Sequence, residues 1–250
     1  MTNSDTLNTD GSAISHHGLM LLGYQRTKQI SRKAWLSMGA GNPAVLSAEI
    51  ALRGTEAFLG ALQEIHAEYV PVRDFRKAEA IHPKRVVDIG SGQAINDVFL
   101  AQDFAAAFTL IDIEDTPEKY HLWSHSGSGC AALQDAEAFL LANGVPPYQV
   151  RTINPRQTPD AMAEVDGDLV TSLFSCGFHY PIGDYVDLMC HTISTGGAVL
   201  LDLRLRYLAA PDGALKRLLQ AGRQDTLLNM EKNPNASCSA PDVRRAIFCS

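Results

Sequence analysis

The run Val86-Val87-Asp88-Ile89-Gly90-Ser91-Gly92-Gln93-Ala94 constrains this chain more than any other segment. A short apolar stretch, too brief for a helix, meets Gly-x-Gly, and a helical pattern follows. Glycine lets the chain turn sharply and lets a ligand touch the backbone. The helix start then presents free N–H groups to an anionic or carbonyl-bearing ligand. Such a strand–turn–helix unit must bury its apolar faces against more of the same.

The downstream sequence supplies them. Strands are expected at residues 85–89, 108–113, 148–153, 168–174, 197–203, 226–230 and 243–248. Helices are expected at 94–104, 130–143, 182–193 and 215–221. Alternation of this kind implies parallel pairing with helices on both faces, and the last two strands, with no helix between them, imply an antiparallel edge. The expected fold class is α/β: a Rossmann-like, doubly wound, mostly parallel seven-stranded sheet with an antiparallel C-terminal edge, plus a helical N-terminal cap.

Residues 1–15, rich in Thr, Asn, Asp and Ser, read as a frayed, disordered tail. Residues 16–80 read as the helical cap, and residues 81–250 as the Rossmann-like domain. In the cap, Asn42-Pro43 is a helix start, with Asn as cap and Pro at the first position. Leu46, Ile50, Phe58, Leu62, Ile65 and Tyr69 then form one apolar stripe, which Pro71 is expected to end. Between Gly11 and Ala48 stand four basic residues, Arg26, Lys28, Arg32 and Lys33, and no acidic one.

Composition excludes several classes. With 46% hydrophobic and 20% charged residues the chain is not largely disordered. Its net charge, 21 − 28 = −7, argues against a general nucleic-acid coat. The five cysteines include no CxxC pair, so neither a disulfide framework nor a zinc knuckle is expected, and a reducing compartment is the simpler reading. No run of eighteen apolar residues occurs, and no positive segment precedes an apolar one at the start. A cytoplasmic protein without a membrane span is expected.

Asp112 falls twenty residues after Gly92, at the end of the second strand. A carboxylate there can accept hydrogen bonds from both ribose hydroxyls of an adenine cofactor, with Glu114 as the fallback on the same strand face. A dinucleotide fingerprint needs a small residue three positions after its second Gly, where this chain has Ile95. A shorter pattern needs the small residue at position 94, where it has Ala94.

On VVDIGSGQA, TLIDIED, DLVTSLFSCGFHYP and GGAVLLDLR, in that order, residues 80–250 resemble the class I S-adenosylmethionine-dependent methyltransferases. The resemblance implies S-adenosyl-L-methionine as cofactor. It puts Asp88 near the methionine end and Gly90, Ser91 and Gly92 under the cofactor. Asp112 falls on the ribose with Ile113 beside it, Asn154 in the adenine pocket, and Phe174 on the loop after the fourth strand. The run GFHYP resembles one in sugar O-methyltransferases.

That loop, residues 172–181, lies where open α/β sheets bind ligands. It lacks the Asn-Pro-Pro-Tyr motif, which argues against amino-group methylation of nucleic-acid bases or protein glutamine. A hydroxyl acceptor must lose a proton, and a neutral imidazole is the natural base near pH 7. His179 is the candidate base, with packing as its other reading, and Tyr180 could hydrogen-bond the acceptor or the cofactor amine. No paired acids stand beside a histidine, so metal independence is expected. Cys176 reads as a packing residue, and Asp202 as either a site-edge acid or a strand-end turn residue. Tyr24, Arg26 and Lys28 could touch a phosphate, carboxylate or nucleotide-sugar acceptor, or face solvent.

The expected activity is O-methylation of a small-molecule hydroxyl, such as a sugar's. The alternatives are an NAD(P)-dependent oxidoreductase on the same sheet and a non-catalytic binding module. The expected partner is a small molecule, not a membrane or a nucleic-acid track; monomer and homo-oligomer both stay open.

Overall fold

The computed structural model describes residues 8–114, 132–179, 181–229 and 242–250. Its centre is one sheet of seven strands: β1 (Arg85–Ile89), β2 (Ala107–Ile111), β3 (Val150–Ile153), β4 (Leu169–Ser172), β5 (Ala198–Arg204), β6 (Arg223–Asn229) and β7 (Val243–Cys249). The spatial order is β3-β2-β1-β4-β5-β7-β6. β1 to β5 run parallel, while β7 pairs antiparallel with both β5 and β6. This is the expected sheet, with its antiparallel C-terminal edge, and its order fits the class I methyltransferase fold. Strand order reverses between β1 and β4, so the crevice at their carboxyl ends is the ligand position in such a sheet.

Helices cover both faces. They are α1 (His16–Gln25), α2 (Arg32–Gly39), α3 (Ala44–Ala78), α4 (Ile95–Asp103), α5 (Leu133–Ala142), α6 (Val186–Ser194), α7 (Leu205–Ala209) and α8 (Gly213–Ala221). Successive β1 residues point to opposite faces. Val86 lies in the same buried cluster as Phe58, Leu62, Tyr69 and Phe99 of α3 and α4, and Val87 in the one holding Met189 of α6 and Leu215 of α8. Burial on both faces is why these strands read as continuous apolar runs.

Three local expectations need correction. Asn42 Oδ1 does accept from Ala44 N at 3.1 Å, but α3 runs through Pro71 to Ala78. Its one non-helical residue is Arg53. Beyond Pro71 the helix buries Val72 and Arg76 completely, and that packing outweighs the roughly 3 kcal/mol a mid-helix proline costs. Of the expected tail, residues 1–7 lie outside the described residues, while 8–15 are held: Ile14 is buried, Asp10 N donates to Asn143 Oδ1 at 2.7 Å, and the Ser15 hydroxyl caps α1. The fourth strand stops at Ser172, because Phe174 takes a left-handed conformation, φ +52°. Among the described residues no helix is long and apolar enough to cross a membrane.

Candidate functional site

The glycine turn forms as its sequence requires. Gly90 and Gly92 have φ of +75° and +54°, and Ala94 follows at +53°. Alanine in that conformation costs about 1–2 kcal/mol where glycine costs almost nothing. Gly90 N donates to Ile111 O at 2.7 Å and Ala94 N to Ser91 O at 2.8 Å, which fastens the turn against the end of β2. A methyl group built on Gly92 would meet no atom within 4 Å, so the turn borders open space. α4 then starts without a side-chain cap.

Asp112 closes the turn from the neighbouring strand. Its Oδ2 accepts from Gly92 N at 3.2 Å and its Oδ1 from Ile113 N at 2.8 Å. Burial pushes its pKa up to about 6; the two N–H donors work against that, and Asp88 and Glu114 add to it. Each oxygen keeps a further lone pair for a ligand hydroxyl.

Glu114 does not share a strand face with Asp112. The chain has left the strand and turns at Glu114 with φ +43°. Its carboxylate accepts from Leu133 N at 2.9 Å, at the start of α5, and from Asn154 Nδ2 at 3.1 Å. Asn154, buried, is thus tied to Glu114 beside the crevice, and Ile113 stands half-buried between Asp112 and Glu114.

Asp88 is buried, and the register that pairs it with Thr171 puts the threonine hydroxyl on its Oδ1 at 2.7 Å. Burial raises its pKa; neighbouring Asp97 and the Thr171 hydrogen bond counter this. Asp97, in the first turn of α4 and fully buried, is pushed well above the usual carboxylate range by burial and then by the Asp88 charge. Neither of its carboxyl oxygens has a hydrogen-bond partner. Sequence reading missed Asp97; the only signal was an acid on the buried face of α4.

With the two Asp97 oxygens, seven buried polar atoms on this segment have no hydrogen-bond partner, the others being Ser91 Oγ and both amide atoms of Gln93 and Asn96. An unmade bond at such an atom costs about 1–3 kcal/mol, so they need water or a ligand. Gln93 packs against α1, where a methyl on Gly18 would lie 2.7 Å from its Oε1. Orphaned donors and acceptors, open space at Gly92 and a ribose-type acid together fit an adenosine cofactor bearing an amino-acid end.

The β4 loop is tied to β1 by Ser172, whose hydroxyl donates to Ile89 O at 2.7 Å and accepts from Cys176 N at 2.9 Å. The Phe174 ring meets Phe178 edge-on at 5.4 Å, and Phe178 meets His179 at 4.3 Å. His179 is half-buried, its N–H bonded to Ser175 O at 2.7 Å; Tyr180 lies outside the described residues. Cys176 is buried and its thiol is pushed up by burial, which suits packing and not nucleophilic attack. Asp202 is fully buried, paired with Arg245, and not a site-edge acid.

On the cap, Tyr24 is buried and stacks on Trp35, and Lys28 is exposed. Arg26 is buried and bonded through two nitrogens to Glu68, so it is not a free cation. The site draws together Asp88, Gly90, Ser91, Gly92, Asp112 and Ile113. No group of three or more metal-ligating side chains occurs among the described residues.

No family model matches the chain, and no curated protein matches it. Among solved structures it is similar to a ribosomal protein L11 methylase from Lactobacillus delbrueckii subsp. bulgaricus, at 16% identity over 66% of this chain and 69% of that one, TM-score 0.40. It is similar to a cyclopropane-fatty-acyl-phospholipid synthase-like protein from Lactobacillus casei, at 16% identity over 68% and 71%, TM-score 0.42. It is also similar to the bifunctional kinase-methyltransferase WbdD, at 17% identity over 76% of this chain but only 38% of that one, TM-score 0.43. Scores below 0.5 at such identities do not transfer an activity.

Proposed function

We propose that the chain is an S-adenosylmethionine-dependent methyltransferase acting on a hydroxyl of a small molecule, such as a sugar. The observation that carries this reading is Asp112 bonded to Gly92 N, beside a turn that borders open space and carries unpartnered buried polar atoms. When bound, S-adenosylmethionine supplies a methyl group already activated on a sulfonium.

In this reading Asp112 accepts the ribose hydroxyls, and Asp88 stands at the methionine end. Gly90 and Gly92 let the ligand lie against the backbone, and Ser91, Gln93 and Asn96 supply its remaining polar contacts. Asn154 and Ile113 border the adenine, and Phe174 lines the loop. His179 takes the acceptor's proton, with Tyr180 orienting the acceptor. Both assignments rest on their place in the loop after β4. Lys28, exposed on the cap, suits an anionic group on the acceptor, whereas Tyr24, buried against Trp35, and Arg26, paired with Glu68, are left out of that role. The free thiols Cys176, Cys190 and Cys249 support a cytoplasmic setting.

Calorimetry with S-adenosylhomocysteine tests the cofactor reading, and a fluorescence titration with NADH tests the dinucleotide rival. Ile95 opens α4 where that rival needs a small residue. Saturable binding of the first ligand and none of the second is expected.

A further inference from the structure

A buried ionic cluster lies behind the β4 loop, and nothing in the proposed reaction uses it. Arg26, just after α1, bonds Glu68 of α3 at 2.6 and 3.1 Å. Glu68 also meets Arg245 of β7 at 3.5 Å. Arg245 bonds Asp202 of β5 through two contacts of 2.8 Å and the Glu68 carbonyl at 3.1 Å. None of these four side chains is more than 9% exposed. Buried ion pairs of this kind contribute little net stability against apolar replacements, so stability alone does not account for the cluster.

Both cations bear on one ring. Arg26 lies 5.5 Å and Arg245 5.9 Å from the Phe174 centroid, within cation–π range. Phe174 needs holding: a left-handed conformation is costly for an aromatic residue. Its ring passes the contact on to Phe178, and Phe178 to His179. Arg204 closes the far side, 4.2 Å over the Phe178 ring with its Nε on the Phe178 carbonyl at 3.0 Å. An unbroken line of contacts runs from the cap to the candidate base.

We infer that Arg26 is a positioning residue: paired with Glu68, it holds Phe174 in its left-handed conformation and, through Phe178, fixes where His179 stands. The catalytic value of that placement rests on the function proposed above; the placement itself does not.

The test reads the His179 ring proton resonances, which the adjacent Phe178 ring displaces, together with amide exchange across residues 173–179. Arg26→Ala should move the His179 signals towards the position of an unstructured imidazole and speed loop exchange by about tenfold, while β1 and β4 amides stay protected. Phe174→Leu, which leaves every ion pair in place, should do the same and decides the matter if Arg26→Ala does not fold. Arg26→Lys, which keeps a cation for Glu68, should return the His179 signals towards wild type. Unchanged His179 signals and loop exchange in either folded variant would overturn the inference. So would a Lys variant indistinguishable from the Ala one. Failure of wild-type protein to bind S-adenosylhomocysteine would instead remove the proposed function and leave this coupling readable.

Discussion

Replacing Asp112 by alanine removes the side chain that fastens the glycine turn and that we propose accepts the ribose hydroxyls. Its two oxygens each accept one backbone N–H and each keep further acceptor capacity for a ligand. A hydrogen bond to a charged group is worth about 1.5–3 kcal/mol, so Asp112→Ala should weaken S-adenosylhomocysteine binding by about 10- to 150-fold. Calorimetry measures this directly, and pH adds a second arm. The carboxyl is pushed up to about 6 by burial. As pH falls through that value a proton turns one acceptor oxygen into a donor, so wild-type affinity should fall while the Ala variant stays flat. The sign for stability is opposite. A carboxyl raised in the folded state favours folding below its unfolded pKa of about 3.9, and that contribution is lost as pH rises towards 6. Glu114→Gln is the control, because that carboxylate serves α5 and Asn154. An Asp112→Ala protein that binds like wild type, or a wild-type affinity flat across pH 6, would refute the assignment.

Further expectations follow from the same geometry. Gly92→Ala has room for its methyl group but a positive φ, so it should cost about 1–2 kcal/mol, lower Tm by a few degrees, and weaken ligand binding by intruding on the space at the turn. Gly18→Ala sets a methyl 2.7 Å from Gln93 Oε1 and 2.9 Å from Ile14 Cγ2; a loss of about 1–3 kcal/mol in denaturant melts is expected, with weaker S-adenosylhomocysteine binding as Gln93 is displaced. Arg245→Met leaves Asp202 and Glu68 buried without their shared partner, so a loss of about 3–5 kcal/mol, or about 6–20 °C in Tm, should appear in calorimetric melts. A fall under about 3 °C contradicts that reading of the cluster.

The sheet and the turn were legible because their signals are local. Val86 to Ile89 is short and apolar but for Asp88, glycine marks the bend, and Asp112 stands at a spacing set by one helix and one strand. What stayed hidden depends on distant partners. Pro71 reads as a helix end until Val72 and Arg76 are seen buried beyond it. Glu114 reads as an acid on the Asp112 face until the positive φ turns it towards α5. Arg26 reads as a free cation because Glu68 is forty-two residues away, and Asp202 meets Arg245 only through the β5–β7 register. Asp97 carries no sequence signal beyond being an acid early in α4; its full burial beside Asp88 comes only from the fold.

The most direct measurement is an isothermal titration of folded wild-type protein with S-adenosylhomocysteine at neutral pH. Saturable single-site binding, weakened by Asp112→Ala, is the expected result. A folded sample that takes up no ligand at high micromolar concentration contradicts the account.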